Sequence, residues 1–215
     1  LEFETELNAL LPADLPNRET VVRKAAAHLA LIVDANRYMN LTRILGPREA
    51  AIKHVLDSVI PWRLFAEAGS ILDAGTGAGY PGIPLALVFP DKRFTLAEST
   101  QKKARFVESV VAALELKNVT VTAQRVEELK DRTDIATARA FAPLDKALDF
   151  LNPAIKAGAK ALFYKGPDAA TEIAAASKAL ARLKARAQIA MAYDLPDAAG
   201  SRTIVIVERD RSHRP

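Results

Sequence analysis

Ile71-Leu72-Asp73-Ala74-Gly75-Thr76-Gly77-Ala78-Gly79-Tyr80-Pro81-Gly82-Ile83-Pro84 is the stretch that decides the fold. A short apolar run reads as a strand and enters a turn with a glycine at every second position. Beyond the turn, Ile83 to Val88 reads as a helix. Glycines in a strand-to-helix turn permit positive backbone dihedrals and let a bulky ligand touch the main chain. The helix behind them adds unpaired amides. Such a turn belongs to the first strand of a nucleotide-binding parallel sheet.

Working outward, Arg93 to Glu98 reads as a second strand. Glu98 closes it 23 residues after Gly75, where an acid can accept hydrogen bonds from both ribose hydroxyls. Gln101 to Leu114 is a patterned helix through Ala104, Val107, Val111 and Leu114. Strands follow at Val119 to Ala123 and Asp134 to Ala138, a helix from Pro143 to about Leu151, and a fifth strand at Ala159 to Tyr164. An alanine-rich helix is expected over 169–187, then strands near Ile189 to Tyr193 and at Thr203 to Glu208. On the N-terminal side, residues 19–35 place Val22, Ala26, Leu29 and Val33 on one helical face. A further helix is expected from Pro47 to Ile60, with Pro61 as its stop. The order predicts an α/β fold, a doubly wound and mostly parallel sheet carrying an N-terminal helical cap. The expected divisions are a cap over 1–65 packed on the core, a cofactor-binding domain over 66–209 and a flexible tail over 210–215.

Several chemistries are excluded by residue content. The chain of 215 residues has no cysteine and three histidines, His28, His54 and His213, scattered along it. Disulfides, thiolate metal sites and cysteine nucleophiles are therefore out, and no metal is expected. No segment approaches the roughly 20 apolar residues that span a bilayer, and no charged start with an apolar run appears, so a cytoplasmic protein without membrane attachment is expected. The net charge is +4 although the first twenty residues carry five acids against one arginine. The excess lies beyond them, at Arg37, Arg43, Arg48, Lys53 and Arg63 and at Lys102, Lys103 and Arg105, which makes a polyanionic partner plausible.

The loop suits a dinucleotide poorly. A pyrophosphate fingerprint would want glycine where the chain has Tyr80, and nothing supplies the Lys-Ser/Thr end of a Walker loop. Asp73, two residues before the first glycine, is a poor neighbour for a pyrophosphate and a good one for an amino group and a sulfonium. The electrostatics favour S-adenosylmethionine. Asp73 can also be read as a helix cap or backbone clamp, and Glu98 as a solvated strand end.

These residues, with Asn40-Leu41-Thr42, Lys53-His54-Val55-Leu56-Asp57-Ser58, Lys103-Ala104-Arg105-Phe106, Arg125-Val126-Glu127-Glu128, Ala138-Arg139-Ala140-Phe141-Ala142 and Tyr164-Lys165-Gly166, resemble one family. It is the glucose-inhibited division protein B family of RNA methyltransferases, which methylate N7 of a guanine in the 530 loop of bacterial 16S ribosomal RNA. The resemblance implies a class I S-adenosylmethionine-dependent methyltransferase fold. It implies cofactor contacts from Asp73, Gly75, Thr76, Gly77, Ala78, Gly79, Tyr80, Glu98, Ser99, Val126, Glu127 and Arg139, and puts Arg139 at the catalytic mouth. Two departures stand out. Ala138 replaces a frequent serine, and Glu98-Ser99 replaces a frequent Asp-Ser.

N7 of guanine has an in-plane lone pair and no hydrogen, so no general base is needed and catalysis rests on alignment and electrostatics. Pyrimidine C5 methylation would want a cysteine, and exocyclic amines an Asn/Asp-Pro-Pro-aromatic turn where this chain has Ala138 to Ala142. Arg139 is expected on phosphate or O6, because bidentate reading of O6 and N7 would occupy the nucleophile. The alternative is a salt bridge to an acid such as Asp73 or Asp134. Arg43, Lys53, His54 and Lys165 are the other expected RNA contacts. Packing for His54 and plain exposure for Lys165 stand beside that reading, and Phe141 can either stack on a base or pack under the mouth. The expected partner is 16S ribosomal RNA or the small-subunit particle, bound by a monomer. Alternatives are methylation of another RNA, a protein or a small molecule, a nicotinamide-dependent oxidoreductase, and a non-enzymatic RNA-binding protein.

Overall fold

The computed structural model describes residues 2–210. Its centre is a seven-stranded sheet in the order β3-β2-β1-β4-β5-β7-β6. The strands are β1 (Ser70–Ala74), β2 (Arg93–Ala97), β3 (Val119–Thr122), β4 (Ile135–Arg139), β5 (Lys160–Lys165), β6 (Ala185–Asp194) and β7 (Ser201–Arg209). β1 to β5 pair in parallel, and β7 enters antiparallel between β5 and β6. The chain leaves β1 to either side, towards β2 and towards β4, so the crevice at the carboxyl ends of β1 and β4 is the topological switch point where such sheets bind ligands.

β1 is buried on both faces, from Ile71 through Ala74, as a central parallel strand should be. One apolar cluster fills the face under the N-terminal helices and runs from Leu7 through Phe65 and Phe94 to Ile204. The second, with Leu144, Leu148, Phe163 and Val207, fills the opposite face. At the edge, β6 is mostly exposed or half-buried and carries a bulge between Ile189 and Met191, devices that blunt pairing with other chains.

The expected helices are present, with instructive differences. α1 (Glu2–Leu10) went unpredicted because only Leu7 is fully sequestered, too few apolar positions for a clear period. α2 (Arg18–Met39) outruns the 19–35 expectation and ends at Asn40, whose φ of 50° is the left-handed stop that asparagine tolerates. The helix expected from Pro47 to Ile60 is present as one continuous run whose middle turn is widened: α3 (Pro47–Ala50), a π-helical segment (Ala51–Leu56) and α4 (Asp57–Val59), joined through right-handed helical backbone. α5 (Gly82–Val88) and α6 (Gln101–Ala113) follow β1 and β2. The helix opened by Pro143 is α7 (Leu144–Phe150), and α8 (Asn152–Lys156) continues after it.

The single helix expected over 169–187 is corrected to α9 (Ala169–Ala175) and α10 (Ser177–Leu183), ended by Lys184 at φ 49°. Alanine favours helix on both sides of the break, so propensity gives no warning of it. Ala169, Ala176, Ala179, Leu180 and Leu183 all join the second cluster. Residues 185–187 already pair with β7, which pulls them out of any helix. The tail expected over 210–215 lies, beyond Asp210, outside the described residues, as does His213.

Candidate functional site

The turn after β1 is held from below. The amides of Gly75 and Thr76 both donate to the Ala97 carbonyl, at 2.9 and 3.0 Å, which fastens the loop to the end of β2. Gly75, Gly77 and Gly79 all have positive φ, at 68°, 60° and 101°. Their surroundings differ. A Cβ on Gly75 would sit 2.3 Å from Cδ2 of Phe141, and one on Gly79 would sit 2.5 Å from Ile83 and 3.1 Å from His28. On Gly77 it would meet nothing nearer than the Gly75 carbonyl at 4.0 Å. Gly75 and Gly79 are thus required by neighbouring side chains, whereas Gly77 faces open space.

Asp73 is fully buried, and both readings of it meet in one carboxylate. Oδ2 clamps the turn, accepting from the Thr76 hydroxyl at 2.6 Å and the Gly82 amide at 2.8 Å. Oδ1 is buried without a partner. Burial raises the Asp73 pKa to about 6, against the opposing pull of the Thr76 and Gly82 hydrogen bonds and of Arg139. Glu98 is no solvated strand end. It is 6% exposed, accepts the Gly77 amide at 3.1 Å on one oxygen and the Thr100 amide at 2.8 Å on the other. A buried, unpartnered carboxylate oxygen on the strand that leads into an open glycine turn fits a cofactor that brings a positive charge. Ala78 is half-buried, and its carbonyl bonds His28 Nε2 at 2.8 Å. Val126 is buried, Glu127 is half-buried 3.8 Å from Arg125, and Ser99 is exposed.

Tyr80 joins the loop to the N-terminal helices. Its ring is stacked between His28 and His54, with centroid distances of 4.7 and 4.9 Å. Burial keeps both imidazoles neutral, lowering His28 to about 3 and His54 to about 4. His54 also bonds the Thr42 hydroxyl through Nε2 at 3.2 Å. It is therefore a packed residue at the rim of the cleft, which favours the packing side of its two readings.

Beside the loop opens a cleft of about 730 Å³ between the π-helical segment and the ends of β4, β5 and β7. Lys53, His54, Arg139 and Lys165 line it together, as does Phe141; Arg43 is exposed outside the lining. Arg139 does form an ion pair, but neither Asp73 nor Asp134 is the partner. Its Nη1 lies 3.3 Å from Asp57 Oδ2 and 3.1 Å from the Ser58 hydroxyl. Nη1 also reaches the Lys53 and His54 carbonyls at 3.3 and 3.4 Å. The wide turn of the π-helical segment supplies those carbonyls, an irregularity that often marks functional sites. Asp134 instead accepts the Gly69 and Ser70 amides, both at 2.9 Å. Lys165 is not a plain exposed lysine. Its side chain is 10% exposed, and its ammonium donates to the Ala142 carbonyl and Glu172, both at 2.7 Å.

Asp57, Glu172 and Arg202 were not singled out from the sequence as site residues, although all three line the cleft. Asp57 lies inside the Lys53–Ser58 stretch, where the only signal was a carboxylate next to the apolar stripe of its helix. Arg202 arrives from β7, and nothing local announces it.

Comparison with known proteins identifies the family. The sequence model for "GidB: rRNA small subunit methyltransferase G" matches residues 21–197. Ribosomal RNA small subunit methyltransferase G of Solibacter usitatus is 56% identical over 207 residues, 95% of this chain and 99% of its own. The Leuconostoc citreum protein of that name is 32% identical, over 98% of this chain and 92% of its own. Among solved structures, magnesium protoporphyrin IX methyltransferase from Synechocystis with bound SAM superposes with a TM-score of 0.59 at 16% identity. It covers 85% of this chain and 97% of its own, and at that identity the likeness carries the fold alone. The chain belongs to the rRNA small subunit methyltransferase G (GidB) family.

Proposed function

We propose that this protein transfers a methyl group from S-adenosylmethionine to N7 of a guanine in the 530 loop of bacterial 16S ribosomal RNA. Family membership supports the reaction. The observation that carries the cofactor assignment is the turn after β1, with three glycines at positive φ, Gly77 facing open space and Glu98 accepting its amide. When bound, S-adenosylmethionine supplies an electrophilic methyl group on a cationic sulfur. Asp73, Gly75, Thr76, Gly77, Ala78 and Gly79 would form its cradle, Glu98 and Ser99 would hold the ribose, and Val126 and Glu127 would hold the adenine. Tyr80 acts from behind the loop through its stack with the two histidines.

Arg139 is fixed on the substrate side by Asp57, Ser58 and two carbonyls, so its charge meets RNA in one orientation. His54, neutral and bonded to Thr42, is not required as a base, because N7 carries no proton to remove. Lys53 and Arg43 extend the contact surface outward. A ribosomal RNA substrate supports a cytoplasmic location in bacteria, and a monomer is the state proposed. Among the described residues no helix is long and apolar enough to cross a membrane, and no group of three or more His, Cys, Asp or Glu is placed to hold a metal.

The test is methyl transfer to ribosomal RNA from cells lacking the enzyme, with the product located by nucleoside mass spectrometry. A new 7-methylguanosine in the 530 loop supports the proposal; methylation only at another atom or on another macromolecule overturns it.

A further inference from the structure

The ends of the cleft differ in charge. On the side of the N-terminal helices, Arg139 and Arg202 share the one carboxylate of Asp57, which leaves an excess of positive charge. On the far side, Lys165 and Glu172 pair one to one at 2.7 Å. A neutral pair is a poor anchor for phosphate, since the carboxylate repels what the ammonium attracts. It is a good anchor for a base edge that offers an acceptor beside donors.

We propose that Lys165 and Glu172 read the Watson–Crick edge of the target guanine, Lys165 donating to O6 and Glu172 accepting from N1–H and the N2 amino group. This rests on the function proposed above and gives the RNA contact expected for Lys165 a specific partner. The pair has free valences for the task. Glu172 Oε2 is committed to the Lys165 ammonium and to the Leu144 amide at 2.9 Å, while Oε1 accepts no hydrogen bond from a described residue. The Lys165 ammonium uses two of its three N–H bonds, on Ala142 and Glu172. Both side chains line the cleft, with Glu172 31% exposed and Lys165 10%. The anchoring is firm, because the Leu144 amide fixes Glu172 at the start of α7 and the Ala142 carbonyl fixes Lys165. Guanine alone among the four bases presents O6, N1–H and N2–H₂ in sequence, matching one donor beside an acceptor of two bonds; adenine presents a donor where Lys165 needs an acceptor. Held this way, guanine keeps the N7 lone pair unengaged. The arginine pair is left for the phosphate.

The experiment compares single-turnover methylation of ribosomal RNA carrying guanosine or inosine at the target, by the wild type and by Glu172→Gln. Inosine lacks the N2 amino group and retains N7. The wild type should prefer guanosine by about tenfold or more, the worth of a hydrogen bond to a charged group. Glu172→Gln keeps an oxygen for Leu144 and Lys165 but presents an amide where the second carboxylate oxygen stood. Both rates should fall, because inosine keeps the N1–H that Glu172 accepts, but guanosine should fall further because it alone also loses the N2 contact, bringing the ratio to within about threefold. A purely structural role for Glu172 would slow both substrates alike and leave the ratio unchanged, which overturns the inference. So does a wild type that treats the two RNAs equally, a result that needs no variant to fold. A wild type that methylates neither RNA overturns the proposed function itself, and this inference with it.

Discussion

Asp57 Oδ2 lies 3.3 Å from Nη1 of Arg139, and the same oxygen lies 3.4 Å from Nε of Arg202. Its other oxygen accepts the Tyr193 hydroxyl at 3.0 Å. One carboxylate, 3% exposed, therefore ties the N-terminal helices to β4, β6 and β7 across the mouth of the cleft. Asp57→Asn keeps the shape and removes the charge. It should slow single-turnover methyl transfer by about tenfold to a hundredfold, from the loss of charge-assisted bonds worth about 1.5–3 kcal/mol. Cofactor affinity by calorimetric titration should stay within about twofold. A variant with a normal rate would remove Asp57 from the account.

Arg139→Ala should leave cofactor affinity largely intact and reduce methyl transfer to RNA. With its head group anchored beside the Arg202 pair, Arg139 is assigned to phosphate, so RNA affinity and the slope of its salt dependence should both fall. Arg139→Lys should recover attraction better than orientation, because lysine lacks the planar fork. The pairing of cofactor titration with RNA binding at several salt concentrations decides it. Loss of cofactor affinity with a normal rate at saturating cofactor would contradict the placement.

Two glycines of the same turn should fail in different ways. Gly77→Val puts side chain into open space at a φ of 60°, so it should weaken S-adenosylmethionine binding at least tenfold while the fold survives with a strain penalty of about 1–2 kcal/mol. Gly79→Val drives its Cβ into Ile83 and His28 and should lower the melting temperature first. Thermal unfolding and calorimetry on both proteins separate the cases. Near-native cofactor affinity in Gly77→Val would sink the cradle.

Asp73 gives the cofactor a pH dependence. Its pKa is raised to about 6 by burial, so in the ligand-free protein it becomes protonated as pH falls through 6. A cationic ligand favours the ionised form and must displace that proton below the pKa. Affinity for S-adenosylmethionine should be level from pH 7 to about 6.5 and weaken below 6, by up to about tenfold per pH unit, while the ligand amine stays protonated throughout. The same shift has an opposite sign for stability. A carboxyl whose folded pKa is raised imposes a penalty absent below its unfolded value of 3.8 and complete above about 6. Asp73→Asn should bind more weakly at pH 7 and lose the titration. An unchanged pH profile in that variant would assign the dependence elsewhere.

What the sequence made legible has a physical pattern. The glycine turn, the acid after β2 and the parallel strands were readable because each depends on residues close in the chain: three glycines at positive φ, and β1 buried over four successive residues. The π-helical segment was not, because Ala51 to Leu56 has an ordinary helical composition, and the Arg139 that bonds its carbonyls lies more than eighty residues away in the chain. The bend at Ala176 was hidden in the same way by alanine on both sides. Arg139 was legible as a site residue and its anchor was not. Asp57 is separated from it by 82 residues and from Arg202 by 145, pairings that only the closed sheet creates.

This cleft is assigned to present guanine N7 to a methyl donor held at the Gly75–Gly79 turn. The most direct measurement incubates the purified protein and isotopically labelled S-adenosylmethionine with small-subunit ribosomal RNA, naked or as the assembled particle, from cells lacking the enzyme. The RNA is then digested and its nucleosides and fragments are mapped by mass spectrometry. Label is expected in 7-methylguanosine at a single position in the 530 loop, abolished or strongly reduced by Gly77→Val and Arg139→Ala. Label on an exocyclic amine, on a ribose or in protein, with guanine N7 unmodified in both substrates, would contradict it.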